Sequence, residues 1–328
     1  MKVVVIGSSN IDMVAQVNHL PAPGETVGDA SFMQSLGGKG ANQAVAAARL
    51  GGSVIFVTSL GNDMYADILK KNFEKEGITT DYIINDNQHP TGTALIFVAD
   101  SGENCIAVAP GANYSLSPES INHFSKVIDE TEIVVMQAEI PYNTIKSIAL
   151  LAQQKGKKIL LNPAPACLID AELMKAIDIL VVNEVEAAFV SGIKHTGDNL
   201  EEIAEALITA GAQNVVITLG SHGVYMKNAY TSGRLPSYKV NAIDTIAAGD
   251  TFCGALAVMC AQKEIDIEAL KFANAAAAIA VTRSGAQPSI PTLEEVNHFI
   301  LKNELPYRST SKFNEHENLL EPTIHSIR

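Results

Sequence analysis

Short, largely apolar and β-branched runs recur along the chain at residues 3–6, 54–58, 133–136, 158–161, 179–182 and 215–218. Longer segments of helical period separate them, at about 40–50, 63–76, 142–155, 184–191 and 199–210. A strand that is apolar on both faces must be covered on both, and parallel strands need crossovers long enough to hold a helix. The alternation therefore predicts an α/β chain: a mostly parallel sheet with helices on both faces. One more strand is expected near 223–226, then helices at about 249–262, 266–283 and 292–302. Two stretches, 12–35 and 91–110, lack helical period. In the second, 93–98 and 104–109 read as a hairpin around Asp100-Ser101-Gly102-Glu103, so a small separate β-sheet is expected. Residues 305–328 are polar and aperiodic and read as a tail.

Charge narrows the function classes. Lys and Arg total 23 against 36 Asp and Glu, a formal charge of −13, which argues against nucleic acid or an anionic membrane surface as the main partner. A phosphate ligand remains open, because backbone amides and a metal hold phosphates without a basic surface. The run at 3–6 is too short for a signal peptide, and no run of about 18 apolar residues suggests a membrane span. Cys105, Cys167, Cys253 and Cys260 form no C-x-x-C pair, and the seven-residue spacing of the last two suits buried thiols on one helix face. With no H-x-H or H-E-x-x-H, a zinc site has little support. These features predict a soluble, cytoplasmic protein.

Polar residues follow the strands. Ser8-Ser9-Asn10-Ile11-Asp12, Gln137-Ala138-Glu139, Asn162, Asn183-Glu184-Val185-Glu186 and Thr218-Leu219-Gly220-Ser221-His222-Gly223 each succeed an apolar run. Any one of these fits an ordinary turn or helix cap. In a parallel sheet, however, all five ends lie along one edge, where open α/β proteins bind ligands. His222 reads as a solvated loop residue.

Two glycine-rich segments sharpen the pattern. Gly37-Gly38-Lys39-Gly40-Ala41-Asn42 opens a helix, letting backbone approach a ligand while Lys39 places a charge at the entrance. It is not a Walker A loop, and 5–10 is not a G-x-G-x-x-G fingerprint. Asp244-Thr245-Ile246-Ala247-Ala248-Gly249-Asp250 opens another helix, where small residues let the amides of 247–249 converge on an anion. Asp250 reads either as a first-turn cap or as a base for a hydroxyl attacking a phosphoryl group held by those amides. Phosphoryl transfer tolerates a weak base, because positioning and charge stabilisation dominate it.

Together with Ala280-Val281-Thr282-Arg283-Ser284-Gly285-Ala286-Gln287-Pro288-Ser289, these motifs resemble the ribokinase-like family of sugar kinases over about residues 1–304. The resemblance implies a kinase unit over 1–304, a Rossmann-like α/β core with a β lid from 12–35 and 91–110, leaving 305–328 outside it. It implies homodimers paired through their lids, and ATP-dependent phosphorylation of D-ribose at its 5-hydroxyl. It places Asn10, Asp12, Gly38, Lys39, Asn42 and Glu139 on the sugar, Asp250 as base, and the amides of Ala247, Ala248 and Gly249 as anion hole. Asn183 and Glu186 would orient phosphates and Mg²⁺-bound water. Thr218, Gly220, Ser221, Gly223 and Gly249 would line the ATP cleft, with Asn274 near the adenine. It further implies a monovalent cation, K⁺, at the Asp244 side chain and the carbonyls of Ile246, Ala280, Arg283 and Gly285, with Ser289 nearby. A 2-deoxyribose or nucleoside kinase of the same family stays open, as does a sugar sensor without turnover. The presence of Asp250, its amide loop and Asn183 with Glu186 opposes the sensor.

Overall fold

The computed structural model describes residues 1–303. The segment 305–328, read above as a tail, lies outside the described residues.

The chain begins with strand β1 (Lys2–Ile6), which leads through a short turn into β2 (Asn10–Val17) and β3 (Ser31–Gly37) before helix α1 (Lys39–Arg49). Next come β4 (Ser53–Val57), β5 (Ser59–Gly61), α2 (Met64–Lys75), β6 (Ile84–Asp86), β7 (Gly92–Ala99) and β8 (Asn104–Ala109). The α/β alternation resumes with α3 (Ile121–Asp129), β9 (Ile133–Gln137), α4 (Tyr142–Gln154), β10 (Lys158–Asn162), α5 (Ala171–Ala176), β11 (Ile179–Asn183), α6 (Glu184–Ser191), α7 (Leu200–Ala210) and β12 (Asn214–Thr218). It closes with β13 (Val224–Asn228), β14 (Ser232–Leu235), α8 (Ala248–Cys260), α9 (Ile267–Ala280) and α10 (Leu293–Lys302).

The main sheet runs β14-β13-β12-β11-β10-β9-β1-β4, parallel from β12 to β4 and antiparallel at β13 and β14. Its strands alternate between two cores, as a period of two dictates. Val3 and Val5 pack with α1, α2, α8, α9 and α10, whereas Val4 and Ile6 pack with α3 to α7. Both faces are dry, which is why each parallel strand reads as an unbroken apolar run. The separate sheet predicted from 12–35 and 91–110 is present, ordered β3-β2-β7-β8. It is inserted into the crossovers after β1 and before β9, so it rises from the carboxyl edge of the main sheet. Elements absent from the sequence reading are short or polar: α3, α5, β5, β6 and the edge strand β14 of Ser-Gly-Arg-Leu.

Glycine at two points lets α1 approach its neighbours. A Cβ on Gly40 would lie 2.5 Å from the Ser8 amide, and one on Gly254 would lie 2.6 Å from the Ala46 Cβ and 2.8 Å from the Gln43 carbonyl. The first turn of α1 therefore sits on the end of β1 and the first two turns of α8 sit on α1.

Candidate active site

The ends of β1, β9, β10, β11 and β12 lie on one edge of the parallel sheet, and the N-termini of α1 and α8 meet above it. This edge gathers the polar residues that the sequence singled out. Asp250, in the first turn of α8, is only 7% exposed. Its Oδ2 accepts a hydrogen bond from Asn42 Nδ2 at 3.0 Å and its Oδ1 accepts one from Gln43 Nε2 at 3.0 Å. Glu139 accepts from the Lys39 amide at 3.0 Å and from the Ser8 hydroxyl, which in turn accepts from the Gly40 amide at 3.2 Å.

Asn10 and Asp12 project from the root of β2. Asn10 Oδ1 accepts from Asn113 Nδ2 at 2.8 Å, and Asn113 Oδ1 accepts from the Ser9 amide at 2.9 Å. Asn113 is buried in a short 3₁₀ turn, Gly111–Ser115, and nothing in its local sequence marked it. Asp12 leans over Gly37, where a Cβ would come within 2.1 Å of its carboxylate. Gly38 has φ 90°, and a Cβ there would lie 2.8 Å from the Asn10 amide, so the chain enters α1 in a form that favours glycine.

Charge is concentrated here. Burial, with the Glu139 and Asp250 carboxylates nearby, pushes the Asp12 carboxyl up to about 6. Burial pulls the Lys39 ammonium down, but Asp250, Glu139 and Glu186 together outweigh it and leave the group above its ordinary value. Burial likewise raises the Glu186 carboxyl, against the Asn183 amide hydrogen bond and the Lys39 charge. Lys39 is thus a permanent cation among four carboxylates that would otherwise repel one another.

The start of α8 has the geometry of an anion nest. Ala247 adopts φ 58°, ψ 8°, a left-handed conformation uncommon outside glycine, and the right-handed helix follows at once. Such a left-to-right switch turns successive N–H groups into one concavity. The Ala248 amide donates to the Thr245 carbonyl at 3.3 Å, while those of Gly249 and Asp250 precede any intrahelical partner. Opposite, Asn183 and Glu186 form a capping box on α6, Asn183 Oδ1 accepting from the Glu186 amide at 2.8 Å and Glu186 Oε2 from the Asn183 amide at 2.9 Å. The box leaves Asn183 Nδ2 and Glu186 Oε1 for other partners.

A cavity of about 220 Å³ lies between these groups, lined by Lys39, Asn183, Glu186, Ala247, Gly249 and Asp250. It adjoins a cleft of about 570 Å³, and the two share Thr218, Thr245 and Gly249. Gly220, Ser221 and Gly223 form one wall of the cleft; Phe252, Val240, Ala277 and Val281 give it an apolar lining. Asn274 also lines it, with Nδ2 donating to the Pro236 carbonyl at 2.8 Å. His222 is exposed and lines neither space.

The residues implicated in a cation site are linked behind the α8 loop. The Asp244 carboxylate accepts from the Ile246 amide at 2.9 Å and the Gly285 amide at 2.8 Å, tying the two loops together. The carbonyls of Ile246, Arg283 and Gly285 accept no hydrogen bond among the described residues, whereas that of Ala280 accepts from the Arg283 amide at 3.1 Å. Ser289 is buried, its hydroxyl donating to the Ala286 carbonyl at 2.7 Å. Oxygens with open lone pairs beside one carboxylate suit a hard monovalent cation. No group of three or more His, Cys, Asp and Glu placed to hold a metal occurs among the described residues. A divalent ion beside Glu186 would therefore keep most of its ligands as water and phosphate, as Mg²⁺ commonly does.

Gln43 and Gln137, both fully buried, form the floor under Asp250. Gln137 was noted at a strand end; Gln43 was missed, although a glutamine among the alanines and valine of a buried helix face was a visible signal.

Comparison with known proteins places this geometry. Residues 1–293 match the pfkB family of carbohydrate kinases. The chain is 40% identical over 297 residues to a ribokinase of Haemophilus influenzae, covering 90% of this chain and 97% of that protein. It is 36% identical over 307 residues to a deoxyribokinase of Salmonella typhi, covering 93% of this chain and 100% of the other. Among solved structures, ribokinase from Arabidopsis thaliana complexed with ribose and ATP superposes with a TM-score of 0.85 at 30% identity, over 93% of this chain and 99% of that one.

Proposed function

The chain belongs to the pfkB family of carbohydrate kinases, and on that premise we propose that it transfers the γ-phosphoryl group of ATP to the 5-hydroxyl of D-ribose, giving D-ribose 5-phosphate. The observation that carries this reading is the position of Asp250: a buried carboxylate held by two amide donors, between the hydroxyl-binding groups of the β2 root and the amide nest of α8.

Asn10, Asp12, Gly38, Lys39, Asn42 and Glu139 hold the sugar. Carboxylates and amides supply both acceptors and donors to ring hydroxyls that lose their water on binding. Asp250 accepts the proton of the 5-hydroxyl as that oxygen forms its bond to phosphorus and the bond to the ADP oxygen breaks. The amides of Ala247, Ala248 and Gly249 carry the charge on the transferred group, and Lys39 adds a fixed positive charge near Asp250 and Glu186. Asn183 and Glu186 orient the phosphates and the water shell of Mg²⁺, whose role is to neutralise phosphate charge. Thr218, Gly220, Ser221, Gly223 and Gly249 line the nucleotide cleft, with Asn274 beside the base. Asp244, the carbonyls of Ile246, Ala280, Arg283 and Gly285, and nearby Ser289 would hold a K⁺ ion, whose charge would steady the loop that carries Ala247. The lid faces expose Phe32 and Phe97 on one side and Ile106 and Val108 on the other, which supports a homodimer paired through the lids.

The likeness to a deoxyribokinase favours 2-deoxyribose as a second substrate to test. ADP release with ATP, Mg²⁺ and a panel of D-ribose, 2-deoxyribose, fructose and adenosine decides between them; no turnover on ribose rejects the first reading. Asp250→Ala should lower turnover by about 10²- to 10⁴-fold, as loss of a general base does, while titration calorimetry still shows ribose and ATP binding. Turnover near wild type would remove Asp250 from this role.

The raised carboxyl of Asp12 gives a pH test. If the ionised form accepts sugar hydroxyls, affinity is full above about pH 6 and falls as pH drops through it. Well below that point, ribose Kd should rise by about tenfold per pH unit. In Asp12→Asn the dependence should vanish; a wild-type Kd unchanged between pH 7 and 5 contradicts the assignment. For the cation, exchange of K⁺ for a large organic cation should reduce activity, and Asp244→Ala should blunt the difference; equal activity in both media rejects the site. Sedimentation equilibrium should give a dimer, reduced to monomer by Phe97→Asp, and a monomeric wild type would count against lid pairing.

A further inference from the structure

We propose that Gln43 is a positioning residue that fixes the orientation of the Asp250 carboxylate, and that buried Gln137 and Asn162 fix Gln43 in turn. The inference rests on the reading of Asp250 as the base.

The polarity of this network can be followed from the backbone outward. The Val181 carbonyl can only accept, so Asn162 turns its amide nitrogen to it, at 2.9 Å. That leaves Asn162 Oδ1 facing Gln43, whose Nε2 donates to it at 3.3 Å and to Asp250 Oδ1 at 3.0 Å. Both Gln43 N–H groups are then committed to oxygens. Its own oxygen accepts from Gln137 Nε2 at 2.7 Å. A reversed Gln43 amide would set oxygen against two oxygens and nitrogen against a donor, so one sense alone is satisfied.

The consequence for Asp250 is geometric. A carboxylate's terminal torsion is broad and two-fold, so the backbone of α8 alone does not orient it. Gln43 holds Oδ1 from below, on the face closed to ligand. Oδ2 meets only Asn42 Nδ2 among the described residues. Oδ2 is therefore the oxygen presented to the incoming hydroxyl. The supports come from α1, β9, β10 and β11, all rigid elements. Gly7 completes the shelf, since a Cβ there would fall 2.0 Å from Gln137 Oε1.

The experiment compares steady-state kinetics of Gln43→Met, which keeps the volume but removes the donors, in wild-type and Asp250→Ala backgrounds. Gln137→Leu serves as a second variant, one step further from the base. In the wild-type background Gln43→Met should lower kcat by about 10- to 100-fold, the size expected for misplacement of a reacting group. Ribose KM and the calorimetric Kd should change by less than about threefold, because Gln43 touches no ligand. Gln137→Leu should lower kcat by a smaller factor, about 3- to 10-fold. In the Asp250→Ala background neither change should lower the residual rate further, because a residue acting only through Asp250 has nothing left to orient. A Gln43→Met kcat within twofold of wild type, or an equal loss in both backgrounds, overturns the inference. If Gln43→Met does not fold, Gln137→Leu decides on the same two criteria. Asp250→Ala retaining turnover sinks the base reading itself; Asp250→Ala inactive with Gln43→Met unimpaired sinks the present inference alone.

Discussion

The close approach of helix α1 to the end of β1 and to α8 is the constraint from which the site follows. Gly40 and Gly254 leave no room for a side chain at these contacts. Because they are empty of side chain, Asn42 and Gln43 reach Asp250 at 3.0 Å and the Lys39 amide reaches Glu139 at 3.0 Å. A methyl group at either point would displace packed elements, and close-packed interiors transmit such shifts instead of absorbing them. Two helix N-termini thus converge over one sheet edge. Their amides and dipoles provide a positive environment without a basic surface.

That arrangement reconciles an acidic chain with an anionic ligand. The net charge of −13 is spread over the surface, whereas the interior of the site is a local balance of Asp12, Glu139, Glu186 and Asp250 around Lys39. The balance is uneven. Lys39, close to three of the carboxylates, stays charged, whereas Asp12, shielded from water and next to two carboxylates, is the member most easily protonated. No helix among the described residues is long and apolar enough to cross a membrane, and the nearby Cys253 is buried, its thiol pushed up by burial.

Legibility followed the physical origin of each signal. Strands buried on both faces wrote themselves as apolar runs, so the six parallel strands could be read directly. The edge strand β14 and the short helix α5 were missed because brief elements carry little period, and α3, although amphipathic, was missed because it spans only nine residues. Asn10, Asp12, Lys39, Asn42, Glu139 and Asp250 stood out as polar residues at strand ends and helix starts. Asn113 did not, since it matters through Asn10, about a hundred residues away, in a turn with no pattern of its own; Gln43 carried a signal, a glutamine on an apolar helix face, but its role rests on Gln137 and Asp250.

By itself the sequence determined the architecture and the type of chemistry. Periodicity is a local property, and a parallel sheet necessarily brings its polar strand ends to one edge, whatever the details of packing. It also determined the family, through motifs whose order along the chain survives without coordinates. The tertiary structure alone decided which donors hold the two oxygens of Asp250, that burial and two neighbouring carboxylates drive up the Asp12 carboxyl, and that Ala247 takes a left-handed turn to aim the amides of α8. The first two depend on distances between residues far apart in the chain. Hydrogen bonding and charge interaction change steeply over a few ångströms, a scale that no sequence spacing specifies.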